Sequence, residues 1–209
     1  MYFERHQLVY LYPASWSALI EAHGDTRDLA EVADWAMFGR PLIARRRLCS
    51  DSKDSVPLGL PLPPSLGKRR LSFAAPLEAV ASIASPPRIA DVIDAAPVTW
   101  RPALEALLAV EPNTRCFGSL AWQFLTDLPY LSETSDIDLL WYASTLGDVD
   151  RIVAAIKPID AASTVTLDGE IVTPGGLAIQ WREWASGAHE VLAKSSDSNR
   201  LVARDMVFS

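Results

Sequence analysis

The stretch FGSLAWQFLTDLPYLSETSDIDLLWYA, from Phe117 to Ala143, holds two features of the kind that does chemistry. One is a Gly-Ser pair opening an apolar run. The other is a pair of aspartates, Asp136 and Asp138, one residue apart at the head of a second apolar run. In a strand, side chains alternate faces, so Asp136 and Asp138 point to one side with their bases about 6.6 Å apart, and Ile137 and Leu139 point to the other. Two carboxylates that close repel each other and are costly to bury, so solvent or a cation must neutralise them. Magnesium is the cation expected, because it takes oxygen ligands, keeps several waters and is held by one or two carboxylates together with substrate phosphates. Gly118 lets a backbone approach closely, and Ser119 is placed to cap a helix over LAWQFL whose leading N–H groups attract phosphate. Gln123, inside that helix, is a candidate to reach the substrate. Phosphates at the helix terminus, joined through metal to Asp136 and Asp138, give displacement at phosphorus with a diphosphate leaving group. Taken singly, a D-x-D is more often a solvated turn and a Gly-Ser more often a simple cap. Their order in one unit is what argues for chemistry.

These residues need elements to hold them. The spacing predicts a short strand at Thr114–Phe117, a helix from about Ser119 to Thr126 and a strand over Ile137–Tyr142. A helix over LGDVDRIVAAI follows, then two hairpin signals, Asp168-Gly169 and Pro174-Gly175-Gly176. Upstream, IADVIDAA and WRPALEALLAV read as helices, the second capped by Thr99 with Pro102 in its first turn. HQLVYLY and GRPLIARRRL read as strands, and Ser15 to Met37 carries helical spacing. VPLGLPLPPSLGKRRLSF, rich in proline and glycine, reads as an extended loop returning through a short strand at Arg70–Phe73. The tail SSDSNRLVARDMVFS carries no clear motif. The prolines of SPPR, Ser85–Arg88, mark a joint. The expected organisation is α+β throughout: an N-terminal domain over 1–86 that binds substrate or partner, and a catalytic domain over 87–209 with a mixed or antiparallel sheet.

Composition narrows the classes. At 209 residues and 49% hydrophobic, the chain can fill a real core. The start, MYFERHQLVYLYP, lacks the uninterrupted apolar stretch of a secretory signal, and no run reaches the roughly 18 apolar residues of a membrane span. Cys49 and Cys116 have neither disulfide nor zinc spacing, which fits a reducing compartment. A cytoplasmic protein is expected, with no membrane partner. The net charge of -7 argues against nucleic acid as a partner. Met1 to Ser85 nevertheless carries 10 Lys and Arg against 9 Asp and Glu, and Arg40 to Arg70 carries 8 against 2, so a local basic surface exists. Lys68 and Arg70, after a glycine-bearing loop, are the favoured anion-binding residues. Arg45, Arg46 and Arg47 divide evenly between that role and solvated surface. His6, His23 and His189 show neither metal spacing nor a triad order.

A strand ending in Gly-Ser, a helix, a loop and a D-x-D strand resemble the DNA polymerase β-like nucleotidyltransferase superfamily. More closely, GSLAWQFLTDLPYLSETSDIDLLW, RHQLVYL, PLGLPLPPSLGKRRLSF and LDGEIVTPGGLAIQWREW resemble the phosphoribosyl-dephospho-CoA transferase family of malonate decarboxylase, its holo-acyl-carrier-protein synthases. The 16 residues between Ser119 and Asp136 exceed the usual superfamily gap but look like this family. The resemblance implies a nucleotidyltransferase-like C-terminal domain and a specific reaction. The phosphoribosyl-dephospho-CoA part of 2'-(5''-triphosphoribosyl)-3'-dephospho-CoA passes to a serine of the apo acyl carrier protein subunit of malonate decarboxylase, and diphosphate is released. It also implies that Asp136 and Asp138 are catalytic and bind magnesium, that Gly118 and Ser119 cradle the triphosphate, and that a third carboxylate lies on a neighbouring strand. Glu170 fits that third place best, Asp168 second, and Glu183 is more distant. Two other readings stay open: a nucleotidyltransferase placing a nucleoside monophosphate on another small molecule or protein, and a catalytically silent module that binds the carrier protein.

Overall fold

The computed structural model describes residues 3–23, 29–196 and 198–209. The chain divides into two compact units, Met1–Ser85 and Pro86–Ser209. Among the described residues no helix is long and apolar enough to cross a membrane.

The first unit is an antiparallel sheet of β1 (Leu8–Leu11), β2 (Leu42–Ala44), β3 (Ser55–Pro61), β4 (Arg70–Pro76) and β5 (Val80–Ala84), in the order β4-β3-β2-β1-β5. Helices α1 (Ser15–His23) and α2 (Leu29–Met37) join β1 to β2. Strict alternation along β4 buries Leu71, Phe73 and Ala75 and leaves their neighbours exposed, the signature of a sheet packed on one face.

The proline-rich stretch, expected as a loop, is a regular hairpin instead: β3 and β4 pair over seven residues each, from Ser55↔Pro76 to Pro61↔Arg70. The prolines are tolerated because of where they fall. Pro57 accepts from the Arg45 N–H on its β2 side, so its nitrogen also faces β2 and the β3–β4 ladder loses no hydrogen bond to the proline. Arg45 then fastens this region. Its guanidinium donates to both carboxylate oxygens of Asp51 at 2.7 Å and to the carbonyls of Leu58 and Phe73, while Arg47 donates to the carbonyls of Ser52 and Ser55. Both arginines are therefore committed to their own chain. Arg45 holds the Asp51 carboxyl below its ordinary range, chiefly through that side-chain hydrogen bond.

The second unit carries α3 (Ile89–Val92), α4 (Arg101–Val110), β6 (Arg115–Phe117), α5 (Gly118–Thr126), β7 (Ile137–Tyr142), α6 (Leu146–Ala162), β8 (Leu167–Val172), β9 (Ala178–Gln180), α7 (Trp181–Ala185), β10 (Glu190–Lys194) and β11 (Asn199–Ala203). Its sheet runs β11-β10-β9-β8-β7-β6. β7 and β8 are parallel, joined by the crossover helix α6, and the other pairs are antiparallel. The fold is thus α+β with a mixed C-terminal sheet, consistent with a nucleotidyltransferase-like arrangement. One face of the sheet is closed by helices. Ile137, Leu139 and Trp141 of β7 and Leu167 and Ile171 of β8 pack there with Leu104 and Leu107 of α4 and Val149, Ile152 and Ile156 of α6.

Four local expectations are corrected. Thr99 does not cap α4: a 3-10 turn, Val98–Trp100, leads straight into the helix and no side chain caps it. α6 runs past Ile156, through exposed Pro158, to Ala162. Its start is set by a capping box in which Asp148 N–H donates to Thr145 Oγ1 and Thr145 N–H to Asp148 Oδ2. Asp168-Gly169 is not a turn but the middle of β8, opposite Asp138 and Leu139. Gly169 is there for space: a Cβ on it would lie 2.5 Å from Trp141 Cζ3 and 2.8 Å from the Leu139 carbonyl. The tail forms β11, paired with β10 from Glu190↔Ala203 to Lys194↔Asn199. The Pro174–Gly176 signal does make the β8–β9 hairpin, with Gly176 at φ 76° donating to the Thr173 carbonyl.

Two measurements follow. Gly169→Ala must displace the Trp141 ring or bend β8, and is expected to lower unfolding stability in urea by about 2 kcal/mol. Asp51, whose folded pKa is depressed, stabilises the fold fully above its unfolded pKa of about 3.9, and this contribution disappears as pH falls through the lower folded value. Asp51→Asn is therefore expected to be less stable than the parent at pH 7, with the difference narrowing below about pH 4, read from thermal midpoints across pH.

Candidate active site

The site grows from the junction of β6 and α5. Phe117 is opposite Asp138 in the β6–β7 ladder, so the chain leaves β6 immediately beside that aspartate. Gly118 makes the turn from strand to helix at φ 64°, a left-handed conformation that favours glycine. Space makes the same demand more severely. A Cβ on Gly118 would lie 1.7 Å from Asp138 Oδ2 and 2.5 Å from its Cγ, so any side chain would displace the carboxylate. Ser119 lies in the first turn of α5, not at its cap as the sequence suggested: Phe117 is the N-cap residue, and no side chain caps the helix. The leading N–H end of a nine-residue helix thus stands next to Asp138.

β7 supplies the carboxylates. Ile137, Leu139 and Trp141 are buried against the helices, which directs Asp138 and its neighbour Asp136 to the opposite face. β8 lies parallel with Asp168 opposite Asp138. The result is a group of three half-buried aspartates, Asp136, Asp138 and Asp168, each offering an oxygen within 4.8 Å of the others. A donor set of carboxylate oxygens alone, with neither imidazole nor thiolate, suits a hard cation such as magnesium or calcium. Asp168 is oriented before any ligand arrives. Its Oδ1 accepts from Gln180 Nε2 and from the following N–H of Gly169, both at 2.8 Å, and Gln180 Oε1 accepts from Glu183 N–H.

The other residues singled out in the sequence fall elsewhere. Glu170, first choice for the third carboxylate, lies one pleat beyond Asp168, buried among Leu140, Val172 and Ala178 and bonded to Lys194 Nζ at 2.9 Å. Asp168 takes the position in the group. Glu183 lies outside the group of three aspartates and turns to β10, where its Oε1 accepts from the Leu192 N–H. Gln123 uses both ends of its amide inside the unit, donating to the Ala95 carbonyl and accepting from the Leu131 N–H, which tethers the loop leading to Asp136. Trp122 is core, 6.3 Å from the Tyr130 ring. Cys116, buried behind β6, has its thiol pushed up by burial and then by the charge of Asp138, so it stays protonated and is no nucleophile. In the first unit, Lys68 and Arg70 are exposed at the β3–β4 turn, where Gly67 and Lys68 both adopt left-handed backbone. Sequence reasoning passed over Gln180 and Lys194. Alternation along AIQ and EVLAK was the available signal, but it needed the strand order to have meaning.

The steric constraint and the charge cluster separate in experiment. Gly118→Ala is expected to reduce catalytic turnover at least 100-fold by moving Asp138, with a modest loss of stability. Asp138→Asn is expected to abolish turnover while retaining the thermal midpoint within a few degrees, since it relieves repulsion among three carboxylates. Manganese binding followed by electron paramagnetic resonance should be weakened in both variants.

Comparison with known proteins covers nearly the whole chain. Residues 4–86 match the family model for the phosphoribosyl-dephospho-CoA transferase MdcG N-terminal domain, and residues 88–205 the one for its C-terminal domain. The chain is 39% identical to a phosphoribosyl-dephospho-CoA transferase of Bradyrhizobium diazoefficiens, over 98% of this chain and 92% of that protein. It is 35% identical to one of Xanthomonas campestris pv. campestris, over 98% and 96%. A Pseudomonas putida protein of the same description is 28% identical over 79% of each chain. No solved structure matches. With both halves of the family matched in order, and a carboxylate group set against a glycine turn, this chain belongs to the phosphoribosyl-dephospho-CoA transferase family and is an enzyme.

Proposed function

We propose that the enzyme transfers the phosphoribosyl-dephospho-CoA group of 2'-(5''-triphosphoribosyl)-3'-dephospho-CoA to a serine hydroxyl of the apo acyl carrier protein subunit of malonate decarboxylase. The observation that carries this reading is the convergence of three aspartates on the helix terminus at Gly118. The acceptor oxygen forms a bond to the phosphorus attached to the ribose, the bond from that phosphorus to the next phosphate oxygen breaks, and diphosphate departs. The hydroxyl proton is lost in the same exchange. The acceptor comes from the partner, so the enzyme needs no nucleophile of its own.

Each residue then has a part. The backbone at Gly118 and Ser119 and the first turn of α5 hold the triphosphate by hydrogen bonds. Asp136, Asp138 and Asp168 hold magnesium, which supplies charge neutralisation along the phosphates when bound. Gln180 keeps Asp168 turned toward its two partners, and Gln123 sets the loop that delivers Asp136. Glu170 acts through Lys194 and not as a metal ligand. Lys68 and Arg70 present a basic surface to an anionic partner, which an enzyme with a net charge of -7 needs if its carrier protein is also acidic.

The test is the intact mass of the carrier subunit after incubation with enzyme, magnesium and triphosphoribosyl-dephospho-CoA. A gain equal to the prosthetic group, absent when the metal is chelated, is expected. A gain only with an ordinary nucleoside triphosphate would replace this donor by another, and no gain with any donor would remove the proposal.

A further inference from the structure

Lys194 ends β10, two strands from β8. The ladders fix the direction of its side chain. Lys194 is opposite Ala178, Ala178 is opposite Val172, and Val172, Glu170 and Asp168 alternate along β8, so all five share the face that bears the aspartates. Two strand spacings, about 9.6 Å, separate β10 from β8. Ala178 and Gln180 of β9 share that face between them, and Lys194 reaches across β9 to Glu170.

The pair is unequal in its surroundings. The Glu170 side chain is 8% exposed, whereas that of Lys194 is 29% exposed. A buried carboxylate on a face that already carries three aspartates adds unfavourable charge, and Lys194 compensates it. An ammonium has three donors. Lys194 donates one to Glu170 at 2.9 Å and keeps a partly exposed side chain, so its ammonium still reaches solvent.

Along the sheet, Gly118 and the α5 terminus lie on the β6 side of the aspartates, while on the other side come Gln180 of β9 and, beyond it toward β10, Lys194. On the reading proposed above, on which this inference rests, the triphosphate occupies the α5 side. The rest of the donor extends from the reacting phosphorus over β8 and β9. That part contains a second diphosphate, in the dephospho-CoA arm. We infer that Lys194, oriented by Glu170, binds the diphosphate of the dephospho-CoA arm and so discriminates this donor from a plain nucleoside triphosphate, which has no second diphosphate to offer. Lys194 is a specificity residue and Glu170 its positioning residue.

Calorimetric titration of the full chain with two fragments of the donor, dephospho-CoA and inorganic tripolyphosphate, tests this without relying on turnover. Lys194→Gln retains a hydrogen-bond donor for Glu170 but removes the charge. It is expected to weaken dephospho-CoA binding roughly tenfold or more, the loss of a charge-assisted hydrogen bond, and to change tripolyphosphate binding less than about twofold. Lys194→Arg should recover most of the loss. Lys194→Met/Glu170→Gln, which removes both charges together, should reproduce the selective loss if Lys194→Gln alone folds poorly. Undiminished dephospho-CoA binding in these variants, or equal weakening of both fragments, would overturn the inference. Failure of the parent enzyme to modify the carrier subunit, with dephospho-CoA binding still dependent on Lys194, would instead overturn the reaction proposed above.

Discussion

The contact between the Gly118 backbone and the Asp138 carboxylate leaves no room for even a methyl group, and the rest of the second unit is arranged to keep it so. β6 and β7 pair with Phe117 opposite Asp138, which sets the strand end and the carboxylate side by side. The left-handed turn at Gly118 then sends the chain into α5 with its N–H end next to that same carboxylate. An anion attracted to the helix terminus and a cation attracted to the aspartates must therefore meet at one place. This is a stronger arrangement than either half alone, because a helix terminus binds many anions weakly and a carboxylate cluster is often merely solvated.

Repulsion within the cluster has to be met by the scaffold as well as by any ligand. Three aspartates with oxygens within 4.8 Å of one another would turn apart if they were free to do so. Asp138 is fixed by its strand, whose alternate residues are locked into the helix-covered core. Asp168 is held by two hydrogen bonds to one oxygen. The loop to Asp136 is tied back to α5 through Gln123. The first unit uses the same economy at Arg45, where one guanidinium joins a carboxylate to two neighbouring strands.

Much of this was legible in the sequence wherever periodicity and local chemistry agree. Ile137–Tyr142 appears as the strand that alternation dictates, and the Gly-Ser pair, the helix after it and D-x-D fall together as expected. What was not legible depended on partners distant along the chain. Asp168-Gly169 has the composition of a tight turn, yet its glycine answers to the Trp141 ring, and only the parallel ladder reveals Asp168 as the third aspartate. Glu170 has the same parity on the same strand, and nothing local distinguishes the two. The distinction is Lys194, which arrives 24 residues later on a strand two places away. The prolines of β3 misled for a related reason, since the tolerance of Pro57 depends on its nitrogen facing β2 and not β4.

The parallel pairing of β7 with β8 has a consequence for how this chain can vary. Asp138 and Asp168 are brought together across the whole of α6, so the length of that crossover is free to change at its exposed C-terminal end without touching the site. The strand itself has no such freedom. A slip of one residue would turn Asp168 and Glu170 into the helix-packed core and bring Leu167, Gly169 and Ile171 to the aspartate face. The fit of Gly169 beneath Trp141 makes that slipped pairing sterically poor from the outset. Tolerance to insertion and deletion should therefore change abruptly within a few residues, from permissive after Ala162 to forbidding at Leu167, and the residue that draws this line has no side chain.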